Sequence, residues 1–181
     1  MENQIINVLM KPFGKKESEK EASKIDNPFS NEQRAKDIRK DIETRIGFDG
    51  NLVKDGVGYS DLSTFSNASF AILDYLLGNE QRAQLIRQDI EDEIGFNGNL
   101  IKYGVGNSGL YTGSNATFAI LDYLLGNGER AELIRKDIET KIGFDDNLVK
   151  YGVEYSGLYT YPNATFGILD VAEKLKQNRK Q

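Results

Sequence analysis

Asn115-Ala116-Thr117-Phe118-Ala119-Ile120-Leu121-Asp122-Tyr123-Leu124-Leu125-Gly126-Asn127 decides the fold, because the chain writes it three times. It stands 48 residues earlier as Asn67-Ala68-Ser69-Phe70-Ala71-Ile72-Leu73-Asp74-Tyr75-Leu76-Leu77-Gly78-Asn79, and 48 later as Asn163-Ala164-Thr165-Phe166-Gly167-Ile168-Leu169-Asp170. From the phenylalanine on it is apolar nearly all round, broken by one aspartate, which marks a helix buried between neighbours. An asparagine opens the segment, where its side chain is expected to cap the first turn. Gly126-Asn127 closes it with a glycine C-cap and an asparagine N-cap. So short a reversal lays the next helix antiparallel beside it.

That next helix is equally periodic. Helices A are expected at Asn31–Ile46, Asn79–Ile94 and Asn127–Ile142, and helices B at Asn67–Leu77, Asn115–Leu125 and Asn163–Gln177. Ala83, Ile86, Ile90 and Ile94 fall three or four apart and paint one stripe, which Leu85 and Leu133 widen in the second and third copies. Between helix A and helix B lies a linker of about twenty residues opening on Gly47, Gly95 or Gly143. Asp49-Gly50 and Asn97-Gly98 form turns within it, and Leu100–Val105 reads as a short strand with Leu110-Tyr111-Thr112 as its partner.

The expected fold is therefore all-α: a tandem array of helical hairpins, repeat length about 48, three copies, with long ordered loops or small β-hairpins between helix A and helix B. Its boundaries follow the period. Residues 1–17 read as an N-terminal arm, 18–30 as a capping segment with a sparse stripe of Ala22, Ile25 and Phe29, and 31–181 as the helical domain. The units run 31–78, 79–126 and 127–174, and residues 175–181 extend the last helix as a polar cap.

Composition removes several function classes. With no cysteine and no histidine there is no disulfide, no zinc site of the usual ligands, no thiol nucleophile and no histidine triad. The formal charge of −5 argues against a general nucleic-acid binder. No apolar run reaches membrane-span length, and the acidic start lacks the form of a signal peptide, so a cytoplasmic location is expected. No phosphate-binding glycine loop is present, and the linkers miss the calcium-loop register, so no cofactor and no metal is expected. Asn67-Ala68-Ser69 and its two counterparts match the glycosylation pattern, which helix capping explains more economically.

Two sets of residues remain as candidates. Asp74, Asp122 and Asp170 each place a carboxylate inside an apolar helix, where it must be paired. The expected role is a structural bond, to a helix A arginine (Arg34, Arg82, Arg130 and their like) or to linker amides. An acid or base lining a cleft is the competing role. The second set is Tyr59, Tyr103, Tyr111, Tyr151, Tyr155 and Tyr159 in the linkers. Stacked units would align these rings on one edge as a roof over the core, a protein-binding surface or a platform for a small polar ligand. The functional expectation is a non-enzymatic structural or scaffold module whose tyrosine-rich loops bind another protein or a second copy. The alternative is a carbohydrate-binding or carbohydrate-processing fragment, since paired helices with a long loop on one edge resemble the plan of α/α toroids.

Overall fold

The computed structural model describes residues 31–177, so the expected arm at 1–17, the capping segment at 18–30 and the last four residues of the chain lie outside it. Six helices appear: α1 (Asn31–Asp41), α2 (Thr64–Leu76), α3 (Glu80–Asp89), α4 (Thr112–Leu124), α5 (Gly128–Asp137) and α6 (Thr160–Gln177). Between helix A and helix B of each unit sits a two-stranded antiparallel hairpin: β1–β2 (Phe48–Asp49, Leu52–Val53), β3–β4 (Phe96–Asn97, Leu100–Ile101) and β5–β6 (Phe144–Asp145, Leu148–Val149). The molecule is thus mostly helical, in three similar units, rather than strictly all-α.

Helix B forms the inner row, α2 against α4 and α4 against α6, while α3 and α5 pack on the preceding helix B. The core lies between the rows and the hairpins: Leu52, Ile86, Ile90, Leu100, Ile101, Phe118, Leu121, Ile134 and Ile138 are fully buried. Leu85 and Leu133, expected to widen the buried stripe, are instead exposed, because they sit on the side of the outer row that faces away from helix B. Helix A also ends differently from a plain α-helix. Its last five residues, Ile42–Ile46, Ile90–Ile94 and Ile138–Ile142, form a wider π-helical turn closed by a bond from the next glycine N–H to the first isoleucine carbonyl, 2.9–3.1 Å.

Two expectations about the linker are corrected. Leu100–Ile101 pairs with Phe96–Asn97 across the Gly98-Asn99 turn, not with Leu110–Thr112. And helix B begins three residues earlier than its asparagine, which does not cap it. The Asn115 amide faces strand β4: Oδ1 accepts from the Ile101 N–H at 2.7 Å, and Nδ2 donates to the Ile101 carbonyl at 3.0 Å and to the Tyr111 carbonyl at 2.9 Å. Asn67 does the same to Val53 and Ser63, and Asn163 to Val149 and Tyr159. A carboxamide is the side chain that offers donor and acceptor side by side, so it completes the free edge of the hairpin as a third strand would. Asn67 and Asn115 are buried and inaccessible to glycosylation in the folded chain.

Adjacent units are sewn together by a backbone seam. The Thr64 N–H donates to the Tyr103 carbonyl at 2.7 Å, its hydroxyl donates to the Lys102 carbonyl at 2.6 Å, and the Val105 N–H donates back to the Leu62 carbonyl at 3.1 Å. One unit on, Thr112 repeats this with Tyr151 and Lys150, and Val153 with Leu110. Thr64 and Thr112 are consequently fully buried. The seam requires backbone to touch backbone, which is why glycine stands at 104 and 152. A Cβ on Gly104 would lie 2.5 Å from the Leu62 carbonyl oxygen, and one on Gly152 would lie 2.8 Å from that of Leu110. A Cβ on Gly56, the counterpart in the first unit, would among the described residues meet only the Tyr59 ring, at 3.3 Å. Gly104→Ala should therefore lower stability by about 1–3 kcal/mol in chemical denaturation, as overpacking does, while Gly56→Ala stays near wild type. Equal effects would remove the seam as the reason for the glycine.

Candidate functional site: an arginine–carboxylate stack and a tyrosine strip

The three aspartates of helix B end in ion pairs. Arg39 Nε pairs with Asp74 Oδ1, Arg87 Nε with Asp122 Oδ1 at 2.5 Å, and Arg135 Nε with Asp170 Oδ1 at 2.9 Å. The partner is thus the arginine of the same unit's helix A. The next unit adds a second one: Arg82 approaches Asp74 Oδ2 at 3.5 Å and Glu43 at 2.8 Å, and Arg130 approaches Glu91 at 3.7 Å. Arg34, the first of that series, is exposed on α1. Asp74 and Asp122 have no exposed surface, so they do not line a cleft.

Each pair is embedded in rings. Phe48–Phe70, Phe96–Phe118 and Phe144–Phe166 meet edge to face at 5.5–5.7 Å. The own-unit arginine lies over one ring, as Arg87 does over Phe118 at 5.5 Å. The next unit's lies over the other, Arg82 over Phe48 at 4.8 Å and Arg130 over Phe96 at 4.0 Å. A planar guanidinium suits this place because it forks to a carboxylate and stacks on a ring at once. Burial holds the Asp122 carboxyl above the ordinary range although Arg87 pulls it down. Burial also works against the charge of Arg87, but its hydrogen bonds and charge contacts with Asp122 and Glu91 leave it above its usual value.

The tyrosines divide into two groups. Tyr103–Tyr111, Tyr111–Tyr151, Tyr111–Tyr155 and Tyr151–Tyr159 have ring centroids 4.9–5.5 Å apart, making one strip across the second and third units. Tyr155 and Tyr159 present about half of their surface to solvent, whereas Tyr103, Tyr111 and Tyr151 are half-buried. Tyr59 stands outside the strip, highly exposed, with its ring against Gly56. The reason is compositional: Asp55 and Ser63 occupy the places that Tyr103 and Tyr111 fill one unit later, and they bond to each other at 2.6 Å. The Tyr111 hydroxyl is pushed up to about 12 by its hydrogen bond with Tyr155, by burial and by the surrounding phenols. The Tyr111 phenol therefore keeps its proton at neutral pH and offers a hydroxyl rather than a base.

Tyr161, the last tyrosine of the linker series, lies at the start of α6. Its hydroxyl overhangs Gly113 of α4 so closely that a Cβ there would lie 2.0 Å away, and its ring meets Phe65 of the first unit at 5.0 Å. The signal in the sequence was the series Phe65, Gly113, Tyr161 at one repeat position, a small residue between two rings. Among the described residues no cluster of acidic side chains has the form of a metal site, and no helix is long and apolar enough to cross a membrane. Comparison of the chain with family models, with curated proteins and with solved structures finds no match.

Proposed function

We propose that this chain is a non-enzymatic scaffold module that binds a protein partner through its tyrosine-bearing loop edge. The observation that carries this reading is the strip Tyr103–Tyr111–Tyr151–Tyr155–Tyr159, in which each ring is braced by another. Rings already held in place lose little side-chain freedom on binding, and half-exposed tyrosines give both apolar area and a hydroxyl to a partner. The carboxylates best suited to catalysis by position, Asp74 and Asp122, are engaged with arginines and closed to solvent. That weighs against the carbohydrate-processing alternative, while a sugar resting on the strip remains its milder form.

The test replaces Tyr155 and Tyr159 together by alanine. Both rings are about half exposed, so thermal stability should stay near wild type. Affinity for a partner isolated with the wild-type chain should fall by about tenfold or more. Undiminished binding would refute the strip as the contact surface. Chemical-shift changes at Tyr155 and Tyr159 on titration with an oligosaccharide panel, with no effect of the replacements on protein binding, would favour the sugar reading instead.

A further inference from the structure

The two ends of the array carry halves of the same joint. At the third unit the residues that the joint would use are uncovered. Thr160, whose counterparts Thr64 and Thr112 are fully buried, is exposed, and its N–H and hydroxyl have no acceptor among the described residues. Leu148 is 47% exposed where Leu52 and Leu100 are 0%, and Leu158 is 41% exposed where Leu62 is 9%. Phe144 and Glu139 lack the next-unit arginine that Phe48 and Glu43 receive from Arg82.

The first unit shows the reverse. Ile38 is 50% exposed where Ile86 and Ile134 are 0%. Arg34, in the place of Arg82 and Arg130, is exposed. An open hollow lined by Ile42, Ile46, Val53, Ser69, Phe70 and Leu73 marks the side that the preceding unit covers in later copies. The receiving loop is already set: the Tyr59 N–H bonds to the Gly56 carbonyl at 3.1 Å, as Asn107 does to Gly104 and Tyr155 to Gly152.

We propose that copies of this chain associate head to tail, with the third unit of one copy joined to the first unit of the next by the same joint that links units within the chain. Thr160 of one copy then donates to the Lys54 and Asp55 carbonyls of the next, and the Val57 N–H donates to the Leu158 carbonyl. Arg34 stacks on Phe144 and pairs with Glu139. This interface exists twice within the chain, and both of its faces recur at the ends of the array, uncovered among the described residues. The contact is heterologous, so growth continues past two copies unless the curvature closes a ring. It uses the ends of the array and does not rest on the partner-binding role of the tyrosine strip.

The test is sedimentation of the full chain over a wide concentration range, with one variant for each face. Arg34→Glu changes an exposed side chain on the head. Thr160→Pro removes the N–H and the hydroxyl on the tail at the first helical position, where proline is well tolerated. The wild type should grow with concentration beyond a dimer. Each variant alone should weaken association by about tenfold or more. An equal mixture should form a species that stops at two copies, because each variant keeps the face that the other has lost. Should Thr160→Pro disturb folding, judged by circular dichroism, Leu148→Glu serves as the tail variant. A wild type that is monomeric throughout overturns the proposal. So does a dimer unaffected by either variant.

Discussion

Replacing Asn115 by alanine should cost about 3 kcal/mol or more of unfolding free energy, making it the most damaging polar truncation outside the ion pairs. The change leaves the Ile101 N–H and carbonyl buried without partners, and each orphaned group costs about 1–3 kcal/mol. Ile101 and Asn115 are both fully buried, so water cannot substitute. Asn115→Asp should not rescue it, because a carboxylate has no proton for the Ile101 and Tyr111 carbonyls that Nδ2 now serves at 3.0 and 2.9 Å. Asn163→Ala, at the partly solvated third unit, should cost clearly less. Chemical denaturation of the three variants checks the order, and an equal cost at 115 and 163 would show that the amide does not act as a buried strand edge.

The second large effect is expected at Arg87. Arg87→Ala leaves Asp122 as a buried carboxylate without its closest cation, a loss of about 3–5 kcal/mol at neutral pH. The pH dependence separates this from lost packing. Burial already holds the folded-state Asp122 carboxyl above its ordinary range, and removing Arg87 raises it further. A carboxyl whose folded value exceeds its unfolded one, about 3.9, binds its proton more tightly when folded. Its contribution is full below the unfolded value and is lost as pH rises through the folded value. The deficit of Arg87→Ala should therefore shrink on acidification toward pH about 4 and widen above it. Asp122→Asn should be milder, since Arg87 keeps its fork to Glu91 at 2.9 and 3.1 Å. A deficit that does not change with pH would assign the loss to packing alone.

What could be read from the sequence was whatever repeats locally. Ile86, Ile90 and Ile94 announce a buried helix face by spacing alone, and Gly78-Asn79 and Gly126-Asn127 announce the reversals. The role of Asn67, Asn115 and Asn163 is not legible, because an asparagine near a helix start looks the same whether it caps that helix or reaches a strand fourteen residues away. The seam could not be read, since Thr64 and the Lys102 carbonyl are thirty-eight residues apart and carbonyls leave no trace in residue type. Its one visible mark was glycine at 104 and 152, which served equally well as a loop signal. The strip was legible as composition but not as geometry. Residue type places Tyr59 with the other linker tyrosines, while Asp55 and Ser63 deprive it of rings to pack on.

Native-state hydrogen exchange at the three equivalent threonines tests the joining of the units most directly, in dilute solution where copies remain apart. The Thr64 and Thr112 amides, bonded across the seam at 2.7 and 2.8 Å, should exchange only through openings close in free energy to global unfolding. Thr160, the same residue at the same place in a unit with no following neighbour among the described residues, should exchange orders of magnitude faster. Comparable rates at all three would mean that the units do not hold one another, contrary to the account given for this fold.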